Sequence, residues 1–258
     1  MEPNDGLYLL AVFLPGQGIT LAQVVVENTQ NEISVAPKAL EYINLRNKVV
    51  IGDALHTQRQ IPIQIGRTGG DYLWTVKGNQ PQLPEDIQRW FDEEVPLLPG
   101  MGYLPKDSRS TTLLNIGHGR IKMRTLTTSS QLVDFLGWPS HQQVFKLERQ
   151  ITTQKTGRYH REVVYGITSL SAEQVTPDQL LRMLRSYWKI ENSLHYRRVV
   201  TLHEDRTRFK SHSAAHITAV INNVLLGILA QSEHRYLPAA RRLHVAHPDH
   251  AFQLLVRL

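Results

Sequence analysis

Residues 48–80 decide the fold of this chain, and they read KVVIGDALHTQRQIPIQIGRTGGDYLWTVKGNQ. Lys48–Asp53 is an apolar run that ends in Gly-Asp, and Asp71–Val76 is a second run rich in β-forming residues. Between them, residues 57–67 have a helical pattern that stops before a Gly-Gly pair. A strand, a helix and a strand in that order are typical of parallel neighbours joined by a crossover. The stretch therefore predicts an α/β fold.

Upstream of this stretch, the sequence predicts a β-hairpin and a short helix. Leu7–Leu14 and Thr20–Val26 are rich in β-forming residues, and the Pro-Gly-Gln-Gly between them is typical of a turn. Residues 35–43 have helical spacing, and Ser34 is the candidate N-cap.

Beyond residue 80 the alternation of strands and helices stops. Residues 84–93 predict a helix, and a loop rich in proline and glycine follows at residues 96–105. Short β-rich runs bounded by turn residues then predict an antiparallel insertion. Its four strands are Thr111–Ile116, Arg120–Thr127, Gln143–Thr153 and Arg158–Ile167.

The rest of the chain predicts helices. Thr176 and Gln179 form a capping-box pattern around Pro177, and the helix that begins there should continue to about Val199. A second helix is expected over residues 213–231, with one broad apolar face. We divide the chain into four parts. Residues 1–80 are the first part of the core, and residues 81–171 contain a loop, a helix and the β-rich insertion. Residues 172–231 are a helical part of the core, and residues 232–258 are a basic helical tail.

Composition excludes several classes of protein. The 258 residues contain no cysteine, which excludes disulfide scaffolds and thiol nucleophiles, and the 41% hydrophobic content is that of a globular protein. The longest apolar stretch, residues 217–230, holds two asparagines and is 14 residues long, so we expect no membrane span. The sequence therefore predicts a soluble, cytoplasmic protein.

Charge is distributed unevenly along the chain. The net charge is +6, but residues 1–100 carry −5 whereas residues 101–258 carry +11. Such asymmetry favours a polyanionic partner for the second part, with nucleic acid as the leading candidate. The alternative is a solvated basic surface that binds nothing.

Asp53 is the first candidate for chemistry. It closes an apolar strand of the predicted parallel pair, and open α/β sheets bind ligands at the carboxyl ends of such strands. A carboxylate at this edge is costly unless it is hydrogen-bonded, paired or bound to a metal. The alternative is that Asp53 caps the helix that begins near Thr57.

Glu191 is the second candidate, because it interrupts an apolar stripe on the predicted helix. Ionised carboxylates rarely lie in line with leucine and tryptophan without a cation nearby. The stripe consists of Leu181, Leu184, Trp188, Glu191, Leu194 and His195. The alternative is a rim glutamate that pairs with Lys189, Arg197 or Arg198 on a neighbouring turn.

A strand-end aspartate and a helix glutamate in a basic chain suit metal-assisted phosphoryl transfer. Mg²⁺ prefers hard carboxylate oxygens, and two such ions clamp the attacking and leaving oxygens of a phosphodiester. We therefore expect the carboxylates of Asp53 and Glu191 to meet in the fold.

Residues 49–80 resemble the DDE transposases of bacterial insertion sequences, and most closely the H-repeat-associated subfamily of the ribonuclease-H-like group. The blocks DALHTQ and GGDYLWTVKGNQ carry the resemblance. Further blocks are HGRIKMRTL at His118–Leu126, YWKIENSLHY at Tyr187–Tyr196 and HEDRTR at His203–Arg208. The resemblance extends over essentially the whole chain. It implies a ribonuclease-H-like mixed sheet flanked by helices and interrupted by a β-rich insertion.

The resemblance also implies a reaction and its residues. Asp53 matches the second catalytic aspartate and Glu191 the catalytic glutamate, both as ligands of Mg²⁺. The reaction is metal-dependent cleavage and transfer of DNA strands at the terminal inverted repeats of the element, and a homodimer is one assembly that the sequence allows. We expect five basic residues around the motif blocks to bind DNA phosphates: Lys77, Arg120, Arg124, Lys189 and Arg198.

One family feature has no counterpart in this sequence. The family's first catalytic aspartate lies on a strand upstream of the segment that matches Leu7–Leu14, and the nearest acid here is Asp5 in an Asn-Asp-Gly turn. We therefore expect an N-terminally truncated transposase with an incomplete metal site and little or no strand cleavage. The alternatives are an active enzyme that uses Asp5, a catalytically inactive DNA-binding remnant, and a pseudogene product without function.

Overall fold

The structure is a computed structural model that describes residues 7–27, 29–93, 106–188, 190–206, 209, 211–231 and 236–256, with the backbone alone at residues 191, 192, 254 and 255. Two compact units are present. One unit is Asn44–Arg185, and the other combines Met1–Ile43 with Ser186–Leu258. The division at residues 80, 171 and 231 stays a prediction. Asp5 and the loop at residues 96–105 lie outside the described residues.

The predicted hairpin is confirmed. Strand β1 (Tyr8–Leu14) pairs antiparallel with β2 (Ile19–Val26), and helix α1 (Glu32–Glu41) follows. The N-cap of α1 is Asn31, whose side chain accepts a hydrogen bond from the backbone of Ser34, so the prediction of Ser34 as the cap was wrong. Ser34 instead supplies the reciprocal half of the capping box, since its hydroxyl accepts from the Asn31 backbone N–H at 3.2 Å.

The stretch at residues 48–80 forms a parallel pair, as predicted. Strand β3 (Val49–Gly52) pairs in parallel with β4 (Asp71–Val76). They are connected by a single 3₁₀ turn, Ala54–His56, and by helix α2 (Gln60–Arg67). Because the strands are parallel, both of their carboxyl ends lie at the same edge of the sheet.

The four antiparallel strands predicted for the β-rich insertion are confirmed. Helix α3 (Gln82–Asp92) precedes them. Strand β8 pairs antiparallel with β4, so the insertion extends the parallel pair into one six-stranded mixed sheet of order β3-β4-β8-β7-β6-β5. The α/β class, with a mixed sheet flanked by helices, is therefore confirmed. The new strands are β5 (Arg109–Gly117), β6 (Arg120–Ser129), β7 (Gln143–Thr153) and β8 (Tyr159–Thr168).

The predicted long helix from Thr176 to Val199 is broken. Helix α4 (Pro177–Tyr187) begins with the predicted capping box, in which Gln179 Oε1 accepts from the Thr176 N–H at 2.8 Å. Two π-helical turns follow, Glu191–His195 and Arg197–Thr201. The predicted spacing of one continuous α-helical stripe therefore does not hold beyond α4. The chain continues with α5 (His212–Gln231), α6 (Leu237–Ala246) and α7 (Pro248–Val256).

Helix α5 packs on the hairpin through a side that combines leucines with small and polar residues. Its buried residues include Asn223 and Gly227, and Asn223 Nδ2 donates to Gln23 Oε1 of β2 at 2.6 Å. Most of the broad apolar face is exposed to solvent: Ile217, Val220, Ile221, Val224 and Leu225.

By length and composition alone, the 20 residues of α5 could cross a bilayer. Those two grounds therefore do not exclude a membrane span, and the expectation of none stays a prediction. The packing of α5 on β2 and the burial of Asn223 are typical of a helix that lies on a sheet.

The sheet is held together by aromatic rings that lie over glycines. A Cβ at Gly52 would lie 2.2 Å from the Trp74 ring, and a Cβ at Gly166 would lie 2.0 Å from the Phe145 ring. Both glycines face these aromatic residues directly across neighbouring strands. Trp74 and Phe145 are buried, and so are Trp90 and Trp138.

We expect Gly166→Ala to destabilise the protein strongly. The new methyl group would meet both the Phe145 ring and, at 2.3 Å, the carbonyl oxygen of Trp74, and backbone atoms cannot move aside cheaply. Overpacking of this kind costs about 1–3 kcal/mol and sometimes more. Urea unfolding followed by tryptophan fluorescence measures it. Gly117→Ala is the matched control, since its Cβ meets nothing within 4 Å, and equal losses for the two variants would contradict the packing argument.

Candidate metal and nucleic-acid site

Asp53 lies where the sequence places it, directly after β3. Its side chain is half exposed and caps the 3₁₀ turn, because Oδ1 accepts from the Leu55 N–H at 3.0 Å. Nε2 of His56 lies 4.0 Å from the same oxygen. The second oxygen, Oδ2, has no hydrogen bond to any described residue. Capping therefore occupies one oxygen and leaves the other available to a ligand.

The two motif blocks around Asp53 form one hydrogen-bonded unit. After β4, the side chain of Asn79 donates to the carbonyl of Ala54 at 2.5 Å, and that of Gln80 donates to the carbonyl of Thr57 at 3.3 Å. The buried Thr57 hydroxyl returns a bond to the carbonyl of Thr75 at 2.8 Å. These bonds fix the loop that carries Asp53. The sequence analysis missed this role, although Asn79 and Gln80 close one of the quoted blocks.

Lys77 is the basic residue closest in sequence to this edge of the sheet. It follows β4 directly and is exposed, on the same sheet edge as Asp53. Its proposed contact with a DNA phosphate stays a prediction.

Glu191 opens the first π-helical turn. Its side chain lies outside the described atoms, and Lys189 lies outside the described residues. The apposition of Asp53 and Glu191 and the site role of both residues therefore stay predictions. A π turn places successive side chains differently from an α-helix and is frequent at functional sites. Leu194, three residues on, is buried in the cluster that includes Leu226 and Leu229.

Arg198 is held by a carboxylate of the HEDRTR block. Its Nε donates to Glu204 Oε2 at 2.7 Å, and its Nη2 donates to Glu204 Oε1, so the pair is bidentate. The two side chains are only 11% and 17% exposed. Asn222 Nδ2 also donates to Glu204 at 3.2 Å. The predicted DNA contact of Arg198 would require its guanidinium to leave Glu204.

Arg120 and Arg124 lie on β6 of the insertion. Arg120 is exposed, and Arg124 is half-buried with Nη1 donating to Asn115 Oδ1 at 3.1 Å. Burial lowers the pKa of Arg124 below its usual value, and the charges of Arg185 and Arg149 lower it further. Contact of either residue with DNA stays a prediction.

The described side chains contain no group of three or more His, Asp or Glu residues that could hold a metal ion. Asp53 still suits Mg²⁺ as a single ligand, because its half-exposed carboxylate has one oxygen without a hydrogen bond to a described residue, on a loop fixed by hydrogen bonds.

We expect substitutions at Asp53 to separate its capping role from its charge. Asp53→Ala removes the acceptor of the Leu55 N–H and should cost about 1 kcal/mol of unfolding free energy. Asp53→Asn keeps that acceptor and should change stability by less than about 0.5 kcal/mol, since asparagine caps as well as aspartate. Thermal and urea unfolding check both values. Equal losses in the two variants would mean that the charge, not the cap, stabilises the turn.

We expect Glu204→Gln to destabilise the protein by roughly 2 kcal/mol, because it leaves the Arg198 charge poorly compensated. This is below the 3–5 kcal/mol typical of fully buried pairs, since both side chains retain some exposure. Chemical unfolding gives the value. Arg182→Gln breaks an exposed pair with Asp178 and should cost less than about 0.5 kcal/mol. A loss at Glu204 no larger than this control would contradict a structural role for the pair.

Comparison with known proteins identifies the family. The model of the transposase DDE domain matches residues 4–227. YbfL of Escherichia coli K12 is 25% identical over 236 residues, as is YhhI of the same strain, whose name associates it with the H repeat and with transposition. YncI of Escherichia coli O157:H7, also named for a transposase, is 28% identical over 231 residues.

These alignments cover 88–89% of this chain but only 57–60% of each relative, so the chain spans about three-fifths of the curated relatives that it matches. The piggyBac transposase in a synaptic complex with hairpin DNA aligns with 88% of this chain and 42% of that chain, with a TM-score of 0.44 and 11% identity. The family match covers most of the sequence and includes every motif block on which the resemblance was based. The chain therefore belongs to the transposase DDE domain family.

Proposed function

We propose that this chain acts in insertion-sequence transposition: it binds duplex DNA and, with Mg²⁺, cleaves and transfers strands at the terminal inverted repeats of its own element. The observation that carries the proposal is the fixed, half-exposed Asp53, with one carboxylate oxygen free, at the carboxyl edge of a parallel strand pair. Ligand sites in open α/β sheets occur at such edges. Family membership supports the reaction class.

Asp53 and Glu191 are the proposed metal ligands. Mg²⁺, when bound, would stabilise charge on the attacking and leaving oxygens of the phosphodiester. Asp53 contributes Oδ2 while Oδ1 stays in the cap, so metal binding needs no rearrangement of the loop. Asn79 and Gln80 are positioning residues, because they bind the backbone of that loop and not the ligand.

Duplex DNA is the proposed partner, bound mainly through its phosphates. The charge of +11 on residues 101–258 supports this, and Lys77, Arg120 and Arg124 are the proposed contacts on the unit Asn44–Arg185. Lys189 and Arg198 are the proposed contacts on the other unit. A cytoplasmic location and a homodimer complete the proposal, and light scattering of the purified chain tests the homodimer.

We expect the purified chain to bind Mn²⁺ as a spectroscopic substitute for Mg²⁺, and Asp53→Asn to weaken that binding. Electron paramagnetic resonance of free Mn²⁺ measures the affinity without requiring strand cleavage, and added Mg²⁺ should displace the bound Mn²⁺. The loss should be at least about tenfold, since changes even to supporting residues of metal sites cost 10–100-fold.

Asp134→Asn is the control for this experiment, because Asp134 is exposed and lies in the same unit. It should leave Mn²⁺ affinity unchanged. If wild type and Asp53→Asn bind Mn²⁺ equally, Asp53 is not a ligand. If wild type binds duplex DNA but no divalent metal, the chain is better described as a DNA-binding remnant of a transposase.

A further inference from the structure

Basic side chains line the outer half of one face of the insertion. Alternate residues of a strand share a face, so Arg120, Lys122 and Arg124 of β6 lie on the same side of the sheet. Arg149 of β7 faces Arg124 directly in the strand register. The inner half of this face is core, since the next β6 residue on it, Leu126, is fully buried. The basic residues are therefore presented on rigid strands.

Arg185 of helix α4 is the third basic residue, and it is near enough to act electrostatically on Arg124. The charges of Arg185 and Arg149 both act on Arg124 and, after burial itself, lower its pKa. All three side chains are half-buried. We call Arg124, Arg149 and Arg185 the arginine cluster, and all three belong to the unit Asn44–Arg185.

Two members of the arginine cluster, Arg124 and Arg185, have few acceptors among the described residues. Glu162 Oε2 accepts from Arg149 Nη1 at 2.8 Å, and Asn115 Oδ1 accepts from Arg124 Nη1 at 3.1 Å. The buried Nε of Arg124 has no hydrogen-bond partner among the described residues. No hydrogen bond or ion pair joins Arg185 to a described residue. Arg124 and Arg185 therefore have no carboxylate partner among the described side chains.

This arrangement costs stability. Like charges directly opposite each other on neighbouring strands repel, and partial burial removes the water that would screen them. Unfavourable arrangements of like charges in proteins occur mainly at functional sites. Each guanidinium can donate two parallel bonds to a phosphate, and a bound polyanion would remove the repulsion among the three.

We propose that the arginine cluster is a phosphate-binding site that holds the backbone of duplex DNA on the β-rich insertion. The proposal deepens the proposed function and rests on it, since it assigns DNA contacts to Arg149 and Arg185 in addition to Arg124. The site reads no sequence, because guanidinium–phosphate contacts position the duplex without contacting base edges. Arg120 and Lys122 continue the positive surface along β6.

The test is the salt dependence of DNA binding by the full chain. Fluorescence anisotropy with a labelled duplex of random sequence, several helical turns long, gives the association constant at a series of NaCl concentrations. Each lost phosphate contact should reduce the slope of log K against log salt by about 0.9. Arg124→Gln and Arg185→Gln should each show this reduction, and the double variant should show about twice as much.

Three controls distinguish binding from folding. Arg182→Gln lies one turn earlier on α4, where Arg182 is already paired with Asp178, and should leave the slope unchanged. Arg185→Lys keeps the charge and should restore the slope. Arg185→Gln should not lower the midpoint of thermal unfolding, because it removes a repulsive charge, whereas a purely structural role predicts a lower midpoint.

The outcomes separate this inference from the proposed function. If the wild type binds DNA and the glutamine variants keep its slope, the arginine cluster is not a DNA site although DNA binding stands. If the wild type does not bind the duplex even at low salt, the proposed DNA partner and this inference fail together. Loss of slope in Arg124→Gln and Arg185→Gln, with Arg182→Gln unchanged, supports the site.

Discussion

The close approach of strand β4 to both of its neighbours is the constraint on which the larger unit depends. On one side the Trp74 ring lies over Gly52 of β3, and on the other the Trp74 carbonyl lies against Gly166 of β8. Among the described strands, β4 joins a parallel neighbour to an antiparallel one. A side chain at either glycine would separate the strands there. The two glycines therefore allow the insertion to continue the sheet of the parallel pair.

This constraint also positions the candidate metal ligand. Gly52 and Asp53 are consecutive, so the residue that accommodates the Trp74 ring fixes the strand immediately before the carboxylate. The loop that follows is bound from the next strand end by Asn79 and Gln80. Backbone packing and side-chain hydrogen bonds thus hold Asp53 from both directions. A metal ligand fixed in this way loses little conformational entropy when it binds an ion.

The sequence predicted those parts of the fold that depend on local pattern. The hairpin, the parallel pair and the four insertion strands follow from β-rich runs separated by turn residues, and the Thr176 capping box from one four-residue pattern. Periodicity could not predict the side of α5 that is buried, because burial depends on which surface of the hairpin is available. On that surface Asn223 donates a hydrogen bond to Gln23, and a Cβ at Gly18 would lie 2.6 Å from the Cβ of Ala230. The buried side of α5 combines these contacts with the apolar packing of Leu226 and Leu229.

The candidate site was predictable to a similar extent. The position of Asp53 at the end of a strand identified it as a candidate. No local sequence signal shows that Glu204 binds Arg198 or that Asn79 contacts the Asp53 loop. These pairs form only when the chain folds. The ion pair distinguishes Arg198 from Arg185, although both lie near motif blocks. Arg198 has its charge compensated inside the protein, whereas Arg185 has no acceptor among the described residues. A basic residue near a motif therefore does not identify an anion contact, and the number of acceptors around each guanidinium is the better criterion. By that criterion, Arg124 and Arg185 have a greater electrostatic demand for an external anion than Arg198 has.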